Sequence, residues 1–296
     1  MEKIIIDTDI GNDCDDMGAL ALCHALCEKG EAELLAVTAC LSTPYVSGCI
    51  DAVNRYYANV VPIGENFNRE EKRLQYDEGG CAYDKIIFER FNKGYKTNRE
   101  ESLSVLRKTL SEAQNNSVTL VGIGYLTNFA RLLESKPDEI SSLSGKELIS
   151  KKIKKTVIMA GNFSEKKPEF NVENDIESAK MVFENWQGEI IVSPFEIGNK
   201  IRTLKSIYKN TENPVGLSYS VYPWAKEKGR ESWDLTAVLY AICEDLELWN
   251  LSQYGKISVS DDGVTSFEEN KNGKHRYLIS KNNEKEIEEI IDSIVK

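Results

Sequence analysis

The chain of 296 residues holds only two histidines, His24 and His275, and it has no excess of positive charge. Its net charge is −11, and no basic patch interleaved with aromatic residues occurs in it. This balance disfavours nucleic acids and anionic membranes as partners. Runs of about 18 uninterrupted apolar residues are also missing, so we expect no membrane-spanning helix.

The seven cysteines lack the regular spacing of a disulfide framework. Their odd number and irregular positions indicate free thiols in a reducing compartment. Cys23 and Cys27 lie on a predicted helix, but no second Cys or His pair follows nearby to complete a zinc site, so we interpret both as small buried residues. The N-terminus shows no secretory leader pattern. We therefore expect a cytoplasmic protein.

Short apolar runs alternate with helical patterns along most of the chain. KIIID predicts a strand, DDMGALALCHALCEKG a helix, AELLAVTAC a second strand, and GEIIVSPFEIG a later strand. This alternation predicts an α/β fold, a mostly parallel open sheet with helices on both faces, in which ligands bind at the carboxyl ends of the strands. The length suits one domain over residues 1–296, with residues 246–296 as a C-terminal appendage. Residues 64–100 and 199–232 are polar and irregular, and we interpret them as loops or insertions around the ligand-binding face.

Five aspartates follow the first predicted strand in the stretch IIIDTDIGNDCDDMGAL: Asp7, Asp9, Asp13, Asp15 and Asp16. One or two of them could cap the next helix, but five repel one another unless a cation compensates their charge. Oxygen-rich sites select hard cations such as Ca²⁺ or Mg²⁺. The cluster therefore indicates a metal site at the end of the first strand.

Two kinds of enzyme fit this cluster taken alone. In the first, an Mg²⁺-dependent phosphatase, Asp7 would be the nucleophile and Asp9 the acid, and the later pair Asp261 and Asp262 would complete the metal site. In the second, a metal-dependent hydrolase, the aspartates would hold a cation that binds both a water molecule and a diol. The cluster by itself leaves both open.

Four blocks occur in order along the chain: DTDIGNDCDD, VGIGYLTNFARLL, VIMAGNF followed by KPEFNVENDIESAKMVFENW, and RESWDLTAVLYAI. Together, over about residues 3–245, they resemble the inosine/uridine-preferring nucleoside hydrolase family. The resemblance implies hydrolysis of the N-glycosidic bond of ribonucleosides to free base and ribose, with bound Ca²⁺, a place in purine and pyrimidine salvage, and a homodimer or homotetramer. Such a cleavage passes through a ribosyl cation that a carboxylate-rich pocket would stabilise.

The resemblance also implies roles for single residues. Asp9 matches the catalytic base, which activates a metal-bound water. The implied metal ligands are Asp9, Asp16, Asp234 and the carbonyl of Ile123. The implied substrate contacts are Asp15 on the ribose 2′-hydroxyl, Asn162, Glu169 and Asn171 on the sugar, and Trp233 beside the base. Asp7 and Asp13 are expected to support the ligands from behind.

This chain departs from the family pattern in three places. The acidic pair Asp15–Asp16 follows the glycine at a longer spacing than usual, with Asp13 in between. Trp233 stands where the best-known members carry a histidine that can protonate the departing base. After the second strand, Ser42 and Thr43 replace a Gly–Asn pair. We expect these changes to affect recognition and activation of the base, for which Tyr125, Tyr222 or solvent are candidates. A calcium-dependent ribose- or nucleoside-binding protein without turnover remains an alternative.

Overall fold

The computed structural model describes residues 1–69, 83–92 and 99–295. Its strands are β1 (Glu2–Thr8), β2 (Ala32–Ala39), β3 (Ile63–Glu65), β4 (Glu100–Glu101), β5 (Val118–Ile123), β6 (Ile153–Met159), β7 (Ile190–Ser193), β8 (Arg202–Thr203), β9 (Arg230–Glu231), β10 (Trp249–Leu251), β11 (Gly255–Val259), β12 (Thr265–Glu269) and β13 (His275–Ser280). Its helices are α1 (Asp15–Glu28), α2 (Val46–Tyr56), α3 (Tyr83–Phe91), α4 (Ser102–Glu112), α5 (Thr127–Glu134), α6 (Gly145–Lys152), α7 (Phe170–Asn174), α8 (Ile176–Asn185), α9 (Phe195–Gly198), α10 (Pro214–Val221), α11 (Trp233–Ile242) and α12 (Glu284–Ile294).

The main sheet is an open one with the strand order β12-β11-β13-β7-β6-β5-β1-β2-β3-β4, and β10 pairs with β13. Neighbouring strands run parallel throughout the stretch β7-β6-β5-β1-β2-β3-β4, and β13 also runs parallel to β7. The strands β10, β11 and β12 form antiparallel pairs. A separate small sheet joins β8 to β9. This arrangement confirms the predicted α/β fold with a mostly parallel open sheet.

Successive side chains of each strand point to opposite faces of the sheet, and helices cover both faces. Ile4 and Ile6 of β1 belong to a core formed with α1, α2, α10 and α11. Ile5 points to the opposite face and packs in a core formed with α4, α5, α6 and α8. The triplet of isoleucines in β1 is therefore buried on both sides.

The C-terminal residues contribute to the same sheet and core. β13 lies parallel to β7, with His275 opposite Ile190. Ile287 and Ile291 of α12 are buried in the core that also contains Ile4. Among the described residues, no helix is long and apolar enough to cross a membrane.

Three segments differ in detail from the predicted local structure. The two segments interpreted as loops contain α3 and α10, as well as the short strands β3, β4, β8 and β9; residues 70–82 and 93–98 of the first segment lie outside the described residues. The start of α10 has a helix N-terminal signal in the sequence, because the Asn213 side chain caps Val215 N and Pro214 occupies the first turn. The strand predicted through GEIIVSPFEIG ends at Ser193, because Pro194 breaks it and begins α9.

Candidate active site

A cavity of about 280 Å³ opens at the carboxyl end of β1, between residues from the N-termini of α1 and α11. β1 pairs with β2 on one side and with β5 on the other, so the strand order changes direction here. Such a switch point leaves a crevice in which α/β proteins bind ligands. We call one wall the acidic half, formed by six carboxylates, and the other the aromatic half, formed by four rings and one guanidinium. The acidic half comprises Asp9, Asp13, Asp15, Asp16, Glu169 and Asp234, and the aromatic half Phe170, Phe195, Tyr222, Arg230 and Trp233.

Three buried carboxylates from two helices form the centre of the acidic half. Asp15 and Asp16 begin α1, Asp234 lies in the first turn of α11, and one oxygen of each lies within 4.8 Å of the others. The backbone N–H of Asp234 donates to Asp15 at 3.2 Å, and the Thr8 hydroxyl donates to Asp16. Burial, and then the charges of neighbouring aspartates, raise the pKa of all three carboxyls well above the ordinary range.

This cluster fits a cation chemically. Carboxylate oxygens are the ligands that hard divalent ions prefer, and a positive charge would remove the repulsion that raises these pKa values. The residues Asp15, Asp16 and Asp234 can therefore hold a metal ion.

Asp9 lies on the same wall, just beyond the end of β1, and it is 4% exposed. The Asn12 side-chain amide donates to Asp9 Oδ2 at 2.7 Å and to the Tyr125 hydroxyl at 2.7 Å. Gly124 follows β5, and a Cβ there would lie 2.5 Å from the backbone nitrogen of Asp9. Glycine at 124 thus lets the ends of β1 and β5 approach closely, which positions Asp9 at the cavity.

Asp7 and Asp13, both expected to support the ligands, take different positions. Asp7 does not line the cavity; it is buried behind it and accepts from Thr38 Oγ1 at 2.5 Å and Asn128 Nδ2 at 2.7 Å. Burial raises the pKa of Asp7 to about 7. Asp13 lines the cavity and forms an ion pair with Arg230, whose Nε donates to Asp13 Oδ1 at 2.8 Å.

The expected sugar contacts fall into two groups. Glu169 and Asn171 line the cavity. Glu169 caps α7 by accepting from Asn171 N at 2.9 Å and Val172 N at 3.3 Å, and it also accepts from Gly161 N at 3.0 Å. Burial raises the pKa of Glu169 to about 7. Asn162 is not among the lining residues described; its Oδ1 accepts from Ser164 Oγ at 3.1 Å and Glu165 N at 2.9 Å in a local turn.

Trp233 is the centre of the aromatic half. Its ring stacks on Phe195 with centroids 5.7 Å apart, and its Nε1 donates to the Phe195 carbonyl at 3.1 Å. A Cβ at Gly198 would lie 2.3 Å from Trp233 Cα, so glycine allows the end of α9 to lie against the start of α11. The Arg230 guanidinium lies 4.8 Å from the Trp233 ring centroid and 5.6 Å from that of Tyr222.

Asn12, Phe170, Phe195 and Arg230 also line the cavity, although sequence reasoning did not select them. Two of them carried a usable signal. Asn12 lies inside the acidic stretch itself, and Phe195 closely follows a parallel strand, where ligand-binding residues gather. Phe170 lies between the selected residues Glu169 and Asn171, and Arg230 begins the block RESWDLTAVLYAI, but neither position by itself indicated a ligand contact.

Neither histidine lines the cavity. His24 is stacked on Tyr57 with centroids 5.3 Å apart and contacts Asn54, so it is a packed polar residue. The His275 ring accepts from Ile257 N at 2.9 Å. Burial lowers the pKa of both imidazoles to about 4.

The acidic pair needed by the phosphatase alternative is also elsewhere. Asp261 lies in the turn between β11 and β12, is fully exposed and pairs with Lys180, and Asp262 bonds to Ser260. Neither lines the cavity. Asp261 and Asp262 therefore do not join the acidic cluster at the end of β1, as the phosphatase alternative would require.

A buried carboxylate cluster at the switch point of a parallel sheet, facing an aromatic wall, is typical of a metal-assisted hydrolase of small polar molecules. The model of the inosine-uridine preferring nucleoside hydrolase family matches residues 4–288. The chain belongs to this family, whose members are N-glycosyl hydrolases of ribonucleosides.

Individual proteins and solved structures are also similar to this chain. An uncharacterised protein of Schizosaccharomyces pombe is 26% identical over 245 residues, covering 78% of this chain and 73% of the relative. The inosine-uridine preferring nucleoside hydrolase of Bacillus anthracis has the same fold, with a TM-score of 0.75 and 18% identity over 100% of this chain and 99% of its own. An inosine-guanosine nucleoside hydrolase gives a TM-score of 0.75 and 20% identity over 100% and 99%.

Proposed function

We propose that the protein is a calcium-dependent hydrolase that cleaves the N-glycosidic bond of ribonucleosides, with Asp9 as the general base. The observation that carries this proposal is the buried cluster of Asp15, Asp16 and Asp234 beside Asp9 in a cavity of about 280 Å³. The family assignment supports the reaction, and the cluster supports the metal dependence. The products would be a free base and ribose, as expected for nucleoside salvage.

Asp16, Asp234, Asp9 and the Ile123 carbonyl would hold the Ca²⁺ ion, and all four residues line the cavity. When bound, the ion would supply positive charge and open coordination positions for a water molecule and sugar hydroxyls. Several carboxylates at one site fit Ca²⁺, which accepts about six to eight oxygen ligands, better than Mg²⁺, which is octahedral and keeps several of its waters.

The residues of the chain would then have three roles: proton transfer, sugar binding and stabilisation of the ribosyl cation. Asp9, oriented by Asn12, would accept the proton of the attacking water. Asp15 and the buried pair Glu169 and Asn171 would bind the sugar hydroxyls, and Asn162 would join them after a local change of its turn. The remaining negative charge of the acidic half would stabilise the ribosyl cation as the bond to the base breaks.

Release of free base from a panel of purine and pyrimidine ribonucleosides tests this proposal. We expect turnover that a chelator abolishes and that added Ca²⁺ restores better than Mg²⁺. Nucleoside binding without turnover across the whole panel would instead support a ribose- or nucleoside-binding protein. Turnover that survives complete chelation would contradict the metal dependence.

A further inference from the structure

Breaking an N-glycosidic bond leaves an electron pair on the base, and this developing negative charge must be stabilised. Both histidines of the chain lie away from the cavity. Arg230 is the one basic residue among the described residues that line it. It lies in the aromatic half, against the rings of Trp233 and Tyr222.

We propose that Arg230 binds the departing base and stabilises its developing negative charge by hydrogen bonding, in place of a proton donor. This inference rests on the proposed function, because it assigns the leaving-group half of the same reaction. It also implies a substrate class: bases with a carbonyl oxygen or ring nitrogen that can accept from a guanidinium at the rim of the ring.

The position of the guanidinium is fixed by two carboxylates. Arg230 Nε donates to Asp13 Oδ1 at 2.8 Å, Nη2 donates to Asp13, and Nη1 donates to Glu231. The Asp13 carbonyl in turn accepts from the Tyr83 hydroxyl at 2.6 Å. A guanidinium has five N–H donors, so these contacts with described residues leave one on Nη1 and one on Nη2 for a ligand.

The ion pair also explains where this chain departs from its family. Asp13 lies in the stretch NDCDD, which lengthens the spacing before the pair Asp15–Asp16. The partner Arg230 lies three residues before Trp233, which stands at the histidine position. Arg230 therefore links Asp13, the additional carboxylate, to the segment in which Trp233 replaces the histidine.

The bonds and charges of this step balance. Water oxygen forms a bond to C1′ of the ribose while the bond from C1′ to the base nitrogen breaks, and its electron pair stays on the base. Asp9 takes the proton of the water, and the base anion, held by Arg230, takes a proton from solvent. Arg230 keeps its own protons throughout, because a guanidinium remains charged in proteins.

Comparing two leaving groups tests this role. Nucleosides such as inosine and uridine need stabilisation of the departing base, whereas 4-nitrophenyl riboside releases an anion that is already stable. For Arg230→Gln we expect kcat to fall about 100-fold on the nucleosides, the size of effect seen when one electrostatic donor is removed. On 4-nitrophenyl riboside the same variant should lose less than about 5-fold, the worth of one ordinary hydrogen bond.

Two further variants separate this role from a structural one. Arg202→Gln removes a neighbouring arginine that also contacts Glu231 but does not line the cavity, and it should show no difference between the two leaving groups. Arg230→Lys keeps the charge without the planar fork and should lie between wild type and Arg230→Gln on nucleosides. If Arg230→Gln fails to fold, Arg230→Lys provides the comparison of the two leaving groups.

Equal losses on both substrates in the folded Arg230 variants would overturn the inference and leave the proposed function intact. A wild-type protein that releases neither base nor nitrophenol would contradict the proposed function itself. Selective loss on nucleosides, restored in part by lysine, would support both.

Discussion

The two halves of the cavity are built in different ways. The acidic half comes mainly from the end of β1 and the first turns of α1 and α11, and its carboxylates are mostly buried and bonded to backbone or to neighbouring side chains. The aromatic half comes from α7, α9, β9, Tyr222 after α10 and Trp233 at the start of α11. The first half is thus built mainly at one strand end and two helix starts, whereas the second draws on several separate segments. We expect the first to decide whether the reaction occurs and the second to decide on which base.

Asp9→Asn should produce the largest effect, because it removes the proposed general base from the acidic half. We expect kcat on nucleosides to fall by about 1,000-fold. The fold should persist, since asparagine can keep the bond from Asn12. Steady-state kinetics with circular dichroism measure both, and the exposed Asp261→Asn is the matched control with unchanged activity. Survival of wild-type turnover in Asp9→Asn would show that the base is another group.

Trp233→Ala should have a smaller effect, confined to the aromatic half. Loss of a stacking surface for the base should raise KM for nucleosides about 10-fold. Inhibition by free ribose, which would contact only the acidic half, should change little. A matching loss of ribose inhibition would break the division between the halves.

Asn12→Ala tests whether Asn12 orients Asp9 within the acidic half. Removing the amide that joins Asp9 to Tyr125 should lower kcat about 5-fold, the worth of one hydrogen bond. The effect should be the same on nucleosides and on 4-nitrophenyl riboside, because Asn12 acts on the water and not on the base. Selectivity for one leaving group would place Asn12 in the other half.

The smallest expected effect is on stability. In the folded protein without metal, the pKa of Asp234 is raised, first by burial and then by Asp15, Asp16 and Asp9. A raised carboxyl pKa means that the folded state binds more protons than the unfolded state, so stability falls as pH rises above about 4. In chelator, Asp234→Asn should therefore melt a few degrees above wild type at pH 7.5, and the gap should narrow toward pH 5.

Saturating Ca²⁺ provides the matching control for that comparison. The ion should stabilise wild type more than Asp234→Asn and reverse their order, because a ligand bound only to the folded state raises the melting temperature. Thermal unfolding followed by circular dichroism measures all four states. An unchanged order in the presence of Ca²⁺ would argue against Asp234 as a ligand.

The acidic half could be predicted from sequence because its residues follow a strand end within a few positions, and parallel strands bring such ends together. The fold was predictable for the same reason, from strands and helices that alternate along the chain. The aromatic half was not predictable in this way. Phe195 and Arg230 are distant in sequence, and the packing of α9 against α11 and the ion pair with Asp13 bring them to the cavity. Asn162 shows the reverse case, because its motif suggested a sugar contact while its side chain is used in a local turn.

The most direct test is an anomalous difference map of crystals grown with Ca²⁺. We expect one metal peak in the acidic half, with carboxylate oxygens of Asp16 and Asp234 at about 2.3–2.6 Å. Asp9 and the Ile123 carbonyl should complete the protein ligands, and the aromatic half should hold no metal. A peak outside this cluster, or none at saturating Ca²⁺, would contradict the division of the cavity into a metal-and-ribose half and a base half.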